Sequence, residues 1–230
     1  MYLALDFPDY NTTKSFIETN NLQGVPVKVG MELYYREGHN IINYLKENDH
    51  SIFLDLKLFD IPNTVERAMR NLAKFEVDYV NVHALGGSEM IKRAKEGLQS
   101  NSSSRHETKL LAVTILTSMD QTTIENELGL SGSVESEVKR LARLAEKNGA
   151  HGVVCSVHEA ELIKRNSSPE FQTMTPGIRL TNSDNNDQKR IATPKFARNN
   201  GSDHIVIGRS ITQAKDPKLA YEIALGEWSN

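Results

Sequence analysis

Cysteine is nearly absent: Cys155 is the single one in 230 residues. An intramolecular disulfide is therefore excluded, and a thiolate metal site lacks partners. No apolar run approaches the about 20 residues of a membrane span. The opening MYLALDFPDY has no basic region and meets Asp6 too early for a signal peptide. Charge of one sign is missing too, since 27 Lys and Arg stand against 30 Asp and Glu, a net −3. No basic field would recruit nucleic acid or an anionic membrane. The phosphate loop GxxxxGK[ST], the Rossmann glycine fingerprint, His-x-His and HExxH are all missing. The expectation is a cytoplasmic chain with neither nucleic acid nor membrane as partner, in which the Asn-x-Ser/Thr sites carry no sugar.

Short runs rich in Val, Ile and Leu do recur. They lie at 2–7, 25–30, 51–58, 79–85, 110–116, 152–156, 172–177 and 204–209. Such runs suit strands covered on both faces. Amphipathic stretches separate them, for example NTVERAMRNLAKF, whose Val65, Ala68, Met69, Leu72 and Ala73 form one stripe. Others are expected at 38–50, 86–98, 135–150 and 157–166, with shorter ones at 11–20, 193–200 and 217–225. Eight strand–helix units in this length predict an α/β fold, a closed (β/α)8 TIM barrel forming one domain over 1–230. An open doubly wound sheet is the rival, but its glycine fingerprint is absent and the regular repeat favours closure. The polar stretch 100–109 reads as a solvated loop. The similar 179–190 follows a strand C-terminus, the catalytic face of a barrel.

FLDLKLFDIPNT, residues 53–64, carries Asp55, Lys57 and Asp60 among leucines and isoleucines. Side chains alternate along a strand. Leu54, Leu56 and Leu58 then face the helices, while Asp55 and Lys57 face the barrel axis. Asp60 falls in the loop beyond. The same alternation turns Asp6, Lys28 and His83 inward on three other strands. A buried ion-pair network without chemistry is the competing explanation, although such pairs seldom add net stability. Inward charges from several strands, at the end where barrels work, favour a site. For His83 alone, a core histidine is as good a reading as a functional one.

IGRSIT after the last strand and TPGIR in the seventh offer Gly208, Arg209, Gly177 and Arg179. Barrels commonly bind phosphate with the loops after strands seven and eight, and arginine grips phosphate bidentately. No metal is expected, because Lys28 and Lys57 supply cationic charge where a divalent ion would sit. Cys155 reads as a small buried hydrophobe.

With these features in place, LDLKLFDIPNTV resembles the signature of the orotidine 5′-monophosphate decarboxylase family. LALDF, VKVGMEL, VNVHALGG, VTILTSM, TPGIR, DQKRIATP and IVIGRSI follow in that family's order along the whole chain. The resemblance implies a homodimeric barrel that converts orotidine monophosphate to uridine monophosphate, in pyrimidine biosynthesis, without metal or organic cofactor. It implies a charged tetrad of Lys28, Asp55, Lys57 and Asp60, with Lys57 as proton donor and Asp60 reaching the neighbouring subunit's site. Asp6 and Lys28 match ribose contacts, Thr117 a hydroxyl near the pyrimidine, and Arg179, Gln188, Gly208 and Arg209 phosphate-side contacts. Ile61 is placed with the substrate-binding residues, and Thr64 matches a contact made across the dimer. Phe59, Leu180 and Ser210 depart from residues frequent in the family, none of them in the tetrad. A magnesium-dependent sugar-phosphate decarboxylase or aldolase on a similar barrel, and a non-catalytic nucleotide-binding protein, are the alternatives.

Overall fold

The computed structural model describes residues 1–100, 106–180 and 192–229. Eight parallel strands close into a barrel in sequence order, each paired with the next and the last with the first. They are β1 Tyr2–Ala4, β2 Val27–Gly30, β3 Ile52–Leu58, β4 Tyr79–His83, β5 Lys109–Val113, β6 Gly152–Val154, β7 Gln172–Ile178 and β8 His204–Ile207. Every expected strand is present, and most are shorter at the C-terminal end. There the chain leaves the ladder to form the mouth, although Leu5 still donates to the Lys28 carbonyl at 2.9 Å.

The helices are α1 Tyr10–Thr19, α2 Met31–Glu37, α3 His39–Glu47, α4 Pro62–Leu72, α5 Gly87–Gln99 and α6 Gln121–Asn126. They continue with α7 Val134–Lys147, α8 Val157–Asn166, α9 Pro194–Asn199, α10 Arg209–Thr212 and α11 Pro217–Ser229. Helices α2, α6 and α10 were not expected. Each has seven residues or fewer, about two turns at most, too few for a 3.6-residue period to show. Helix α2 leaves β2 without a loop and stops at Gly38, whose φ of 59° and ψ of −133° suit glycine. No helix among the described residues is long and apolar enough to cross a membrane.

Alternation divides the strand residues between two cores. Leu3, Val29, Leu54, Val80, Leu110 and Ile205 pack outward against the helices. Tyr2, Phe53, Tyr79, Leu111, Met174 and Val206 fill the barrel itself. At its N-terminal end Tyr2, Phe53, Tyr79 and His204 meet edge to face, with centroids 5.4 to 6.4 Å apart. The Tyr79 hydroxyl bridges Gln172 Oε1 at 2.8 Å and His204 Nε2 at 3.0 Å. This plug closes one end, so the open end is the C-terminal mouth.

Burial holds the His204 imidazole neutral down to about 4, with the N-terminal ammonium and Lys109 adding to it. Burial likewise lowers His50, His83 and His151. The unfolded chain takes up these protons near pH 6.5, whereas the folded chain resists them. Stability therefore falls as pH drops from about 6.5 to about 4. His204→Gln retains a partner for Tyr79 and should lose about 2 kcal/mol less than the wild type across that interval, measured by urea unfolding.

Candidate active site

The mouth holds a cavity of about 590 Å³. Strands β1, β2 and β3 bring one wall of charge to it, and their register explains how. Ala4 pairs with Lys28, and Gly30 with Asp55. Asp6 and Asp55 thus flank Gly30, one residue pair above Lys28. A Cβ on Gly30 would lie 3.2 Å from both Asp6 Oδ1 and Lys28 Nζ. The missing side chain leaves the space into which the Lys28 ammonium rises. Lys28 Nζ stands 2.9 Å from Asp6 Oδ1 and 3.6 Å from Asp55 Oδ2, and Lys57 Nζ 2.7 Å from Asp55 Oδ1. The result is a ladder of alternating sign, Asp6, Lys28, Asp55, Lys57.

Burial alone would push the Asp55 carboxyl up. The Lys28 and Lys57 ammonium groups, with hydrogen bonds from Lys57 and Asn81, outweigh it and hold the carboxyl below its usual range. Burial would likewise lower Lys28, but Asp55 and Asp6 raise it above its ordinary value. Both groups stay charged near neutral pH because each stabilises the other.

The third strand is not regular where it carries Lys57. Leu54 pairs with Val80 and Leu58 with Val82, so four steps along β3 match two along β4. Lys57 takes a left-handed φ of 52°, uncommon for a residue with a Cβ. A bulge of this kind re-aims a side chain, and Lys57 faces the cavity. Its backbone N–H donates to Asn81 Oδ1 at 2.7 Å, and Asn81 Nδ2 donates to Asp55 Oδ1 at 2.7 Å. Neither Gly30 nor Asn81 was singled out from the sequence. The signal for Asn81 was its inward register between Tyr79 and His83.

Thr117 is buried and lines the cavity, as do Arg179, Gly208 and Arg209 from the ends of β7 and β8. A Cβ on Gly208 would meet only ordinary contacts, 3.5 Å to Ala4 and 3.8 Å to Asp6. Phe53, Val113, Val154 and Val206 supply an apolar floor. Cys155 is buried. His83 lies against Phe59, with ring centroids 5.8 Å apart, and does not line the cavity.

Three expected site residues stand apart. Asp60, Ile61 and Thr64 are exposed and outside the cavity. Asp60 Oδ1 accepts from the Ile61 N–H at 2.6 Å. Met31, Tyr35, Phe59 and Ile61 are large exposed apolar side chains on the segments that follow β2 and β3. Gln188, and the 179–190 stretch beyond Leu180, lie outside the described residues.

The ladder is graded by depth: the side chains of Lys28 and Asp55 are each 11% exposed, that of Asp6 61%. Removing a charge from the deep pair strands its partner, whereas the outer aspartate is screened by water. Lys28→Met should destabilise the fold by about 3 kcal/mol and Asp6→Asn by less than about 1 kcal/mol, as compared by denaturant unfolding.

The pattern of the Orotidine 5′-phosphate decarboxylase / HUMPS family matches residues 1–224. The orotidine 5′-phosphate decarboxylase of Bacillus cereus (strain AH820) is 49% identical over 229 residues, covering 99% of this chain and 96% of that protein. A crystal structure of orotidine 5′-phosphate decarboxylase from Lactobacillus acidophilus superimposes with a TM-score of 0.87 at 41% identity, over 100% of this chain and 99% of that one. An uncharacterized conserved protein from Geobacillus kaustophilus gives the same TM-score at 43% identity, over 99% of both chains. The chain belongs to the orotidine 5′-phosphate decarboxylase / HUMPS family.

Proposed function

We propose that the chain decarboxylates orotidine 5′-monophosphate to uridine 5′-monophosphate, a step of pyrimidine biosynthesis, with neither metal nor organic cofactor. The observation that carries this reading is the Lys57 ammonium, paired at 2.7 Å with a buried carboxylate and facing a cavity with arginines in its lining.

Breaking the bond from C6 to the carboxylate leaves its electron pair in the plane of the pyrimidine ring. That pair cannot delocalise into the π system, and no cofactor acts as a sink. Stabilisation must then be electrostatic, and a proton must arrive promptly. Lys57 supplies both: its charge faces the developing carbanion, and its Nζ–H transfers a proton to C6. Asp55 accepts a hydrogen bond from the Lys57 ammonium at 2.7 Å and so fixes its place. Asp55 also repels the substrate carboxylate, which leaves as neutral CO₂.

In this reading Asp6 and Lys28 hold the ribose, and Thr117 contacts the pyrimidine. Arg179, Gly208, Arg209 and Gln188 take the phosphate. Phosphate binding far from C6 can be spent on closing the 179–190 segment and expelling water. A magnesium-dependent reaction fits less well, since a divalent ion at Asp6 and Asp55 would displace the ammonium groups that already neutralise them.

The exposed loop after β3 supports a homodimer. Asp60, Ile61 and Thr64 sit beside Phe59 on a surface with more exposed apolar side chains than a solvated loop needs. A two-fold axis there would carry Asp60 into the neighbouring cavity and complete the tetrad.

Wild-type protein should release CO₂ from orotidine monophosphate equally with and without chelator. Lys57→Ala should lower turnover by at least about a thousand-fold while the fold survives, as read by circular dichroism; substantial residual activity removes the proton-donor role. A second experiment reads the shared site. Lys57→Ala and Asp60→Asn are each nearly inactive alone. After mixing and subunit exchange, half of the dimers are hybrid, and each hybrid has one site with both residues intact. Activity should return to about a quarter of wild type. No recovery, despite verified exchange, contradicts a site completed by Asp60 from the other subunit.

A further inference from the structure

We infer that Asn81 is a positioning residue for the reaction: one buried side-chain amide sets both the backbone of Lys57 and the carboxylate that holds the Lys57 ammonium. The inference rests on the proposed decarboxylation and extends it to a residue that does not line the substrate cavity.

Asn81 projects inward from β4 and is 1% exposed. Its amide orientation follows from its partners. The Lys57 backbone N–H can only donate, so it faces Oδ1. An ionised Asp55 can only accept, so its Oδ1 faces Nδ2. That same Asp55 oxygen receives the Lys57 ammonium at 2.7 Å. Asn81, Asp55 and Lys57 therefore form a closed ring, in which the Lys57 side chain joins the backbone N–H at one end of the hydrogen bonds to the ammonium at the other.

The break in strand pairing gives the ring its purpose. Between the Leu54–Val80 and Leu58–Val82 pairs, β3 carries two more residues than β4. The Lys57 N–H donates to the Asn81 side chain, which stands in for a main-chain partner across the ladder. Without that acceptor, a buried N–H would be left unsatisfied beside a left-handed, non-glycine φ of 52°. The bulge would then relax and carry the lysine away from its aim. No other residue supplies the same pair of functions at this length. Aspartate offers an acceptor and no donor, leucine neither, and serine is too short to span both partners.

The experiment measures steady-state kinetics from pH 5 to 8 for wild type, Asn81→Ala and Asn81→Asp, with circular dichroism and thermal unfolding alongside. It adds hydrogen exchange at the Lys57 amide. For Asn81→Ala the expected result is a fall in kcat of roughly ten- to a hundred-fold, the range for losing hydrogen bonds to a charged group. KM for orotidine monophosphate should move by less than about threefold, because Asn81 makes no contact with the substrate. The Lys57 amide, protected in the wild type, should exchange fast.

Asn81→Asp keeps the acceptor for the Lys57 N–H and sets a second carboxylate against Asp55. Its kcat should be low at pH 8 and rise towards pH 5, as one proton shared by the two carboxylates restores a donor. The wild type should show no such rise. Wild-type kcat in Asn81→Ala overturns the inference. So does an Asn81→Asp profile parallel to wild type, or loss of the fold in both variants, which would assign Asn81 to the scaffold alone. If the wild type fails to act on orotidine monophosphate, the proposed function falls. Amide exchange then still decides whether Asn81 holds Lys57, since protection unchanged in Asn81→Ala refutes it.

Discussion

Everything at the barrel mouth depends on a ladder of four charges whose deep pair, Lys28 and Asp55, cannot be buried singly. Asp6, Lys28, Asp55 and Lys57 alternate in sign at separations of 2.7 to 3.6 Å. Two unit charges 4 Å apart gain about 4 kcal/mol at an effective permittivity near 20. Taking each ion out of water costs several kcal/mol. The two amounts are comparable, so the ladder contributes little net stability. The fold must find its stability elsewhere, in the apolar layer between barrel and helices and in the aromatic plug below. What the ladder provides is a lysine held at a fixed place, above an apolar floor.

Holding it there takes more than charge. Closure of the sheet sets β1, β2 and β3 side by side in register, which brings Asp6 and Asp55 to either side of Gly30. Glycine then leaves room for the Lys28 ammonium between them. On the next strand, Asn81 fixes the irregular stretch of β3 so that it and Lys57 share one oxygen of Asp55. The packing that excludes water from this corner also strengthens the electrostatics within it. Scaffold and chemistry are therefore coupled through a few buried polar atoms, while the loops outside remain free to vary.

Much of this was legible in the sequence. Strands at a regular spacing implied the barrel, because each needs a crossover helix to run parallel to the next. Period two sorted Leu54 and Leu56 from Asp55 and Lys57, and the structure keeps that division. Other features depend on neighbours distant in sequence. The bulge at Lys57 exists because Asn81, 24 residues later, accepts its N–H. Local alternation cannot see that partner, and it predicts a regular strand in its place. Gly30 matters only because Asp6 and Lys28 converge on the space beside it. Helices α2, α6 and α10 are too short to show a period, yet α10 places Arg209 directly after Gly208 at the mouth. Asp60 reads as a rim residue from its place just past the strand, whereas Thr64 reads as a site residue only through resemblance; within one chain both remain on the surface.

Charge counting links the site to the proposed reaction. The ladder sums to zero by itself. A nucleotide phosphate near −2 would be balanced by Arg179 and Arg209, both on the cavity wall. The orotate carboxylate adds one further negative charge, with no further cation for it among the described residues of the cavity, on the side where Asp55 already stands. An Asp60 contributed by a second subunit would make that surplus larger. In the proposed reaction the unmatched charge is moved and not removed: CO₂ leaves neutral, the electron pair passes to C6 and takes a proton from Lys57, and the lysine is left neutral until it takes a proton from solvent. Binding energy gained at the phosphate, remote from C6, can offset the cost of seating that carboxylate. The charge thus moves from the carboxylate, on the side of Asp55, towards the Lys57 ammonium as the bond breaks, as in a site complementary to the transition state and not to the substrate.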